Sequence, residues 1–158
     1  MPASAAFSLS LLELLLANTA IANVGNTAGL AGSSGGGSPG SLYLALHTAS
    51  PGDGAQNVNE AAYPGYARVA IARGSGPWTF TAGNSVTGVP SSAVNAAQIA
   101  FAAETTSSYT ETETYFSVGV AMSGATQVLI YFPLNTSLAV SQGVAPTFLP
   151  GQLTLTGD

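Results

Sequence analysis

The sequence predicts a mainly β protein: an antiparallel β-sandwich or jelly roll of about eight short strands, with one short N-terminal helix and a Gly/Ser-rich linker. Three observations predict it. Short apolar runs, several of them alternating, recur from Ser41 to the end of the chain, separated by turn residues such as Gly, Pro and Asn. Only one segment, near the N-terminus, reads as a helix. Between the two lies a stretch without any period. The division that follows is an N-terminal helical arm over residues 1–24, the linker over 25–40 and a β-sandwich body over 41–158.

The arm contains FSLSLLELLLA, from Phe7 to Ala17. It is short for a membrane span, which needs about 20 apolar residues. It carries Glu13 and has no positive charge before it, so it reads as neither an anchor nor a secretory signal. Ser10-Leu11-Leu12-Glu13 fits a capping box, with helix starts near Ser4 or Ser8 also open. Leu9, Leu12 and Leu16 share one face, and Leu11, Leu14 and Leu15 widen it. A helix apolar nearly all round has to be buried on most sides. Two destinations fit: the chain's own sheet, or a neighbouring subunit. The linker, GNTAGLAGSSGGGSPG, would span about 20–25 Å as a free coil, enough reach for the second.

In the body, Leu42, Leu44 and Leu46 alternate and the run ends at His47; Ser50-Pro51-Gly52-Asp53-Gly54 breaks it. Tyr66 to Ala72 alternates again, with Arg68 on the side away from Val69 and Ile71. Trp78 to Thr81 follows the turn at Gly74 to Pro77. Gln98 to Ala102 is a short apolar run. Tyr115 to Met122 and Thr126 to Phe132 read as a hairpin about Ser123-Gly124-Ala125. Leu138 to Val140, Pro146 to Leu149 and Leu153 to Thr156 complete the series. No internal repeat suggests a propeller or solenoid.

Composition narrows function. Of 158 residues, two are cationic (Arg68 and Arg73) and seven acidic; Lys and Cys are absent. Two Arg cannot supply the several phosphate contacts of a nucleic-acid binder. Without Cys there is no disulfide framework or thiolate metal site. A free domain normally has a surface about a quarter to a third charged. So low a charge points to a surface held against other protein.

No catalytic, metal or cofactor-binding residue is assigned. Glu111 and Glu113 would share one face of a strand, about 7 Å apart. Paired carboxylates can hydrolyse glycosides. Here they sit in TSSYTETETYF, which reads as a solvated edge or loop. Asp53, Asn57, Asn59 and Glu60 gather oxygens without the spacing of a calcium loop, and read as an Asx-rich turn. His47 has no nucleophile context and reads as a strand cap. The Gly35 to Gly37 run is followed by no Lys and is no phosphate loop. Arg68 and Arg73 should each find a carboxylate, inside the fold or across a subunit contact. The candidate assembly contacts are therefore Leu9, Leu12, Leu16, Arg68 and Arg73.

Specific words then matter. LYLALHTASPG from Leu42 to Gly52, Asn59-Glu60, and YPGYARVA from Tyr63 to Ala70 resemble a family of small tailed-phage virion proteins. Asn18-Thr19-Ala20 fits the end of that family's N-terminal helix. Ser50 stands where the family commonly has Asp, and the Gly/Ser segment is longer. The resemblance implies a non-enzymatic virion structural protein. Its leading form is a capsid decoration, or cement, protein on the outer capsid surface, stabilising the shell by bridging copies of the major capsid protein and contacting other copies of itself as a homo-oligomer. Neither nucleic acid nor membrane is an expected partner, and no cofactor is expected. The alternative is a tail- or fibre-associated protein contacting host glycans through residues such as Tyr43, Tyr63, Tyr66, Trp78, Tyr109 and Tyr115. A jelly-roll carbohydrate enzyme is disfavoured by the lack of an acid pair in a cleft.

Overall fold

The computed structural model describes residues 5–17, 19, 41–73, 76–84, 86–126 and 128–157. The predicted linker lies outside them. In chain order the elements are α1 (Ala5–Ala17), β1 (Ser41–His47), β2 (Val69–Ala72), β3 (Trp78–Thr81), β4 (Ser91–Asn95), β5 (Ile99–Ala100), β6 (Glu111–Gly119), β7 (Val128–Val140), β8 (Thr147–Phe148) and β9 (Thr154–Gly157). The protein is mainly β with one short helix, the class the sequence predicts. It comprises two compact units. One is formed by Met1–Ser41, Ala72–Gln98 and Phe148–Asp158, the other by Leu42–Ile71 and Ile99–Thr147.

In the first unit α1 packs on a three-stranded sheet of order β3-β4-β9, antiparallel at both joins. The helix starts at Ala5, so Ser10 stands inside it and the Ser10–Glu13 pattern is no N-terminal cap. Leu12 and Leu16, one turn apart on one face, are both buried, while Leu11 is about half exposed. β4 escaped the sequence pattern because its buried side is Ser91, Ala93 and Asn95 rather than large apolar residues. Asn95 compensates by bonding. Its Nδ2 donates to the carbonyls of Ala97 (2.8 Å) and Leu149 (2.9 Å), and its Oδ1 accepts from the Leu153 amide (2.8 Å). That fixes the chain leading into β9.

The second unit holds a four-stranded sheet of order β2-β1-β6-β7. β1 and β6 are central and antiparallel, with Leu44 opposite Val118 and Leu46 opposite Phe116. A central strand covered on both faces buries both sets of side chains: Leu44, Ala45, Leu46 and His47 are all fully buried. β2 starts at Val69, later than predicted, because Pro64-Gly65 turns the chain first; Gly65 has φ 97°, open to glycine and strained for a side chain. β6 starts at Glu111, so the acidic stretch read as a solvated edge or loop is the beginning of a central strand, with Glu113 buried. β7 runs through Pro133 as one thirteen-residue strand, where two shorter ones were expected. Proline is tolerated there because β7 is an edge in the order of this sheet.

Candidate functional site

Several polar residues of the second unit join in one hydrogen-bonded chain. It begins at Arg68, which is 5% exposed. Its Nε donates to Glu60 Oε1 (2.6 Å) and one terminal nitrogen to Glu60 Oε2 (2.7 Å), a two-toothed fork. The same nitrogen reaches the Gly124 carbonyl (2.8 Å), and the other donates to Ala121 O (3.0 Å) and Thr126 Oγ1 (3.1 Å). A guanidinium has five N–H donors, and these contacts use all of them. Arg68 thus holds the β6–β7 loop as well as Glu60. Tyr66 completes the corner: its hydroxyl donates to Glu60 Oε1 (3.0 Å) and accepts the Leu46 amide (3.1 Å). Burial, then the nearby Glu60 charge, pushes the Tyr66 phenol well above its ordinary range.

The chain continues inward. Thr126 Oγ1 donates to Gln56 Oε1 (3.4 Å). Gln56 Nε2 donates to the Tyr43 carbonyl (2.9 Å) and to Ser117 Oγ (3.2 Å). Ser117 and His47 Nε2 are 2.7 Å apart, and His47 Nδ1 lies 3.0 Å from the Val58 carbonyl. That carbonyl only accepts, so Nδ1 carries the ring proton and Nε2 accepts from Ser117. Burial is the main cause that lowers the His47 pKa, so the neutral ring is favoured.

A serine hydroxyl on a histidine nitrogen has the outline of a nucleophile and its base. The surroundings argue otherwise. His47, Ser117 and Gln56 are all fully buried, and the group behind the imidazole is a carbonyl rather than a carboxylate. What the arrangement does chemically is satisfy polar groups inside a sheet and lock loops 54–60 and 121–126 to β1 and β6.

A second polar feature is the acid pair on β6. The Glu111 carboxylate accepts the amides of Ala62 (3.0 Å) and Tyr63 (3.0 Å). Glu113, two residues along the same strand, is fully buried, and neither of its oxygens meets a donor among the described residues. Burial, then the Glu111 charge, pushes the Glu113 carboxyl up to about 8. A shallow groove of about 370 Å³, lined by Asp53 and by Val128 to Phe132 of β7, lies in the same unit. No group of three or more potential metal ligands occurs among the described residues. Of the Asx-rich segment, Asn59 donates to the Ser50 carbonyl (2.9 Å) from a left-handed backbone, φ 52°, while Glu60 turns to Arg68.

Comparison with known families gives one match. The model of the podophage GP4 fiber I protein gp80 family aligns with residues 11–156, nearly the whole chain. The chain belongs to that family. It is therefore a phage virion-associated structural protein of a fibre family, as the motifs from Leu42 to Ala70 implied at the coarser level. No curated protein matches the sequence.

In this fibre-family protein four of the five predicted assembly residues, Leu12, Leu16, Arg68 and Arg73, are buried within the chain. Leu12 and Leu16 are buried and Leu9 half-buried on a helix that packs on its own sheet. Arg68 is consumed by the network above. Arg73, 3% exposed, donates to the carbonyls of Leu15 (2.8 Å) and Leu14 (2.7 Å), groups that α1 leaves open at its C-terminal end. Neither aromatic of the pair Tyr63 and Trp78 is displayed; each is about 2–3% exposed. Large apolar side chains that do face outward include Val86, Val89, Val120 and Met122. Sequence reasoning missed the His47–Ser117–Gln56 core. Its one visible signal was Ser117, a polar residue inside a strand between Phe116 and Val118.

Proposed function

We propose that the protein is a structural component of the podophage tail fibre or its attachment, with no catalytic role of its own. The family match over residues 11–156 carries the proposal. It fits a fibre role better than the capsid cement role that composition and motif placed first. The internal use of the polar side chains supports it. His47, Ser117, Glu60 and Arg68 are spent on fixing loops, which is what a mechanical part needs and an active site does not. Contact with host glycans, other copies or neighbouring virion proteins would then fall to exposed positions such as Val86, Val120 and Met122.

Localisation on the intact particle tests this. Antibody-gold labelling with copy counting by quantitative mass spectrometry should place a small number of copies at the tail. Hundreds of copies over the head would overturn the fibre assignment and return the protein to the capsid surface.

A further inference from the structure

Glu113 is a buried acid of the second unit that the fibre assignment and the polar network leave unexplained, and it differs from the other such acid, Glu104, which lacks a donor among the described residues at a single oxygen. Glu113 is fully buried, and no donor among the described residues reaches either oxygen. A buried carboxylate in that state carries a large desolvation cost. Its polar neighbour is the Glu111 carboxyl, which is itself an acceptor for two backbone amides. Two ionised carboxylates at this spacing repel, and neither can donate to the other. With one proton between them the contact becomes a hydrogen bond.

We propose that Glu111 and Glu113 share one proton and act as a latch. The protonated Glu113 side chain donates to Glu111, which stays ionised and holds the amides of Ala62 and Tyr63. The other titratable groups near the pair are phenols: Tyr63, on the latched segment, and Tyr109, just before β6. Tyr63 stays protonated because burial, then the Glu113 and Glu111 charges, raises it far above the range in question. The stretch of β7 paired with Glu111 to Glu113, Leu138 to Val140, carries no ionisable side chain. No cation faces the pair from these elements.

What the latch holds gives it consequence. Ala62 and Tyr63 follow Glu60, the partner of Arg68, and precede Tyr66, which also contacts Glu60. Loss of the shared proton places a second charge beside Glu111 and loosens the 60–66 segment where it meets β6. The direction follows from linkage. In the folded chain Glu113 holds its proton up to about 8, against 4.5 for an ordinary glutamate side chain. The folded state then binds the extra proton between those values, so stability falls as pH rises through that window.

The test compares the wild-type chain with Glu113→Gln and Glu111→Gln from pH 5 to 9. The readouts are thermal unfolding and the hydrogen-exchange protection factors of Ala62 and Tyr63, corrected for intrinsic exchange. Wild type should lose protection at these two amides by at least about tenfold toward pH 9. Glu113→Gln, whose amide donates permanently, should keep it and unfold at a higher temperature at alkaline pH. Glu111→Gln keeps an acceptor oxygen for the two amides but removes the neighbouring charge, so its alkaline loss of protection should be smaller than in wild type. Equal pH dependence in wild type and Glu113→Gln would overturn the proposal. So would a Glu113 carboxyl resonance titrating near 4.5. A calcium arm closes the remaining case: if Ca²⁺ restores alkaline protection in wild type and a chelator removes protection at neutral pH, a cation rather than a proton neutralises the pair.

Discussion

Arg68 grips Glu60 through two parallel hydrogen bonds of 2.6 and 2.7 Å, and its three remaining donors close on the loop between β6 and β7. The sequence contains only two cations, and this one is fixed inside the fold. The side chain joins three parts far apart in sequence: the segment before β2, the turn at Glu60 and the 121–126 loop. Low charge in this chain therefore does not mean charge is unimportant. The charges of Arg68 and Glu60 hold the fold together.

Arg68→Met removes one partner of a buried pair and leaves Glu60 without its cation, held by the Tyr66 hydroxyl. Breaking such a pair typically costs about 3–5 kcal/mol. Arg68→Lys keeps the charge but loses the fork and most of the loop bonds, so it should recover only part of that. The double variant Arg68→Met/Glu60→Met should be more stable than Arg68→Met alone. Urea denaturation of wild type, Arg68→Met, Glu60→Met and the double variant measures the coupling. A near-zero coupling energy would show that Arg68 works only through the 121–126 loop.

Gly119 is needed for space rather than for backbone freedom. A methyl group there would run into the Gln56 side chain, the middle link between Thr126 and Ser117. Gly119→Ala should destabilise by about 1–3 kcal/mol through overpacking and displacement of Gln56. In a Gln56→Ala background those three nearest contacts are gone, so the same substitution should cost much less. Additive losses in the double variant would place the clash elsewhere.

The sequence revealed the strands whose apolar residues alternate or cluster: β1, β3, β9 and the middle of β6. It hid those where a polar or small residue occupies a buried position. Ser91 and Asn95 concealed β4, and Glu111 and Glu113 made the start of β6 resemble a solvated edge or loop. Hydrophobic periodicity reports which side chains prefer burial, not which are buried because a partner satisfies them. For the same reason the network site was invisible. His47, Gln56, Ser117 and Arg68 each have a bland local context, and their meaning lies in contacts 8 to 70 residues apart. The Leu42 to Ala70 words carried the family at the level of phage structural protein, because they hold turn and core residues that any member of the fold has to keep.

His47 makes the protein acid-sensitive. Its folded pKa is depressed by burial, below 6.5 for the unfolded ring. As pH falls through 6.5 the unfolded chain takes up the proton first, so stability present above that pH is lost until the folded ring also protonates. Each unit of depression corresponds to about 1.4 kcal/mol. A His47→Gln variant lacks this term, so its stability relative to wild type should improve steadily from pH 7 to pH 5. The Glu113 dependence runs the opposite way and is common to both proteins, so it cancels in the difference. Since His47 is the sole histidine, its ring nitrogen shifts report the tautomer directly; a proton on Nε2 rather than Nδ1 at neutral pH would contradict the assigned bond direction.

Arg73 and Leu16 decide between the two destinations the sequence left open for α1. Arg73 donates to the Leu14 and Leu15 carbonyls at the helix end, where a cation also meets the negative end of the helix dipole. Leu16 is 1% exposed. If the helix belongs on its own sheet, Leu16→Ala should cost the isolated chain about 2–5 kcal/mol by opening a cavity. Arg73→Met should speed amide exchange of residues 5–17 and cost less, about 1–3 kcal/mol, because the leucine contacts remain. If instead the helix is an arm that docks on a neighbour, both substitutions should leave the isolated chain's unfolding midpoint unchanged and weaken only assembly. Denaturation of the purified protein at a concentration where it is monomeric, paired with exchange over the helix, separates the two outcomes.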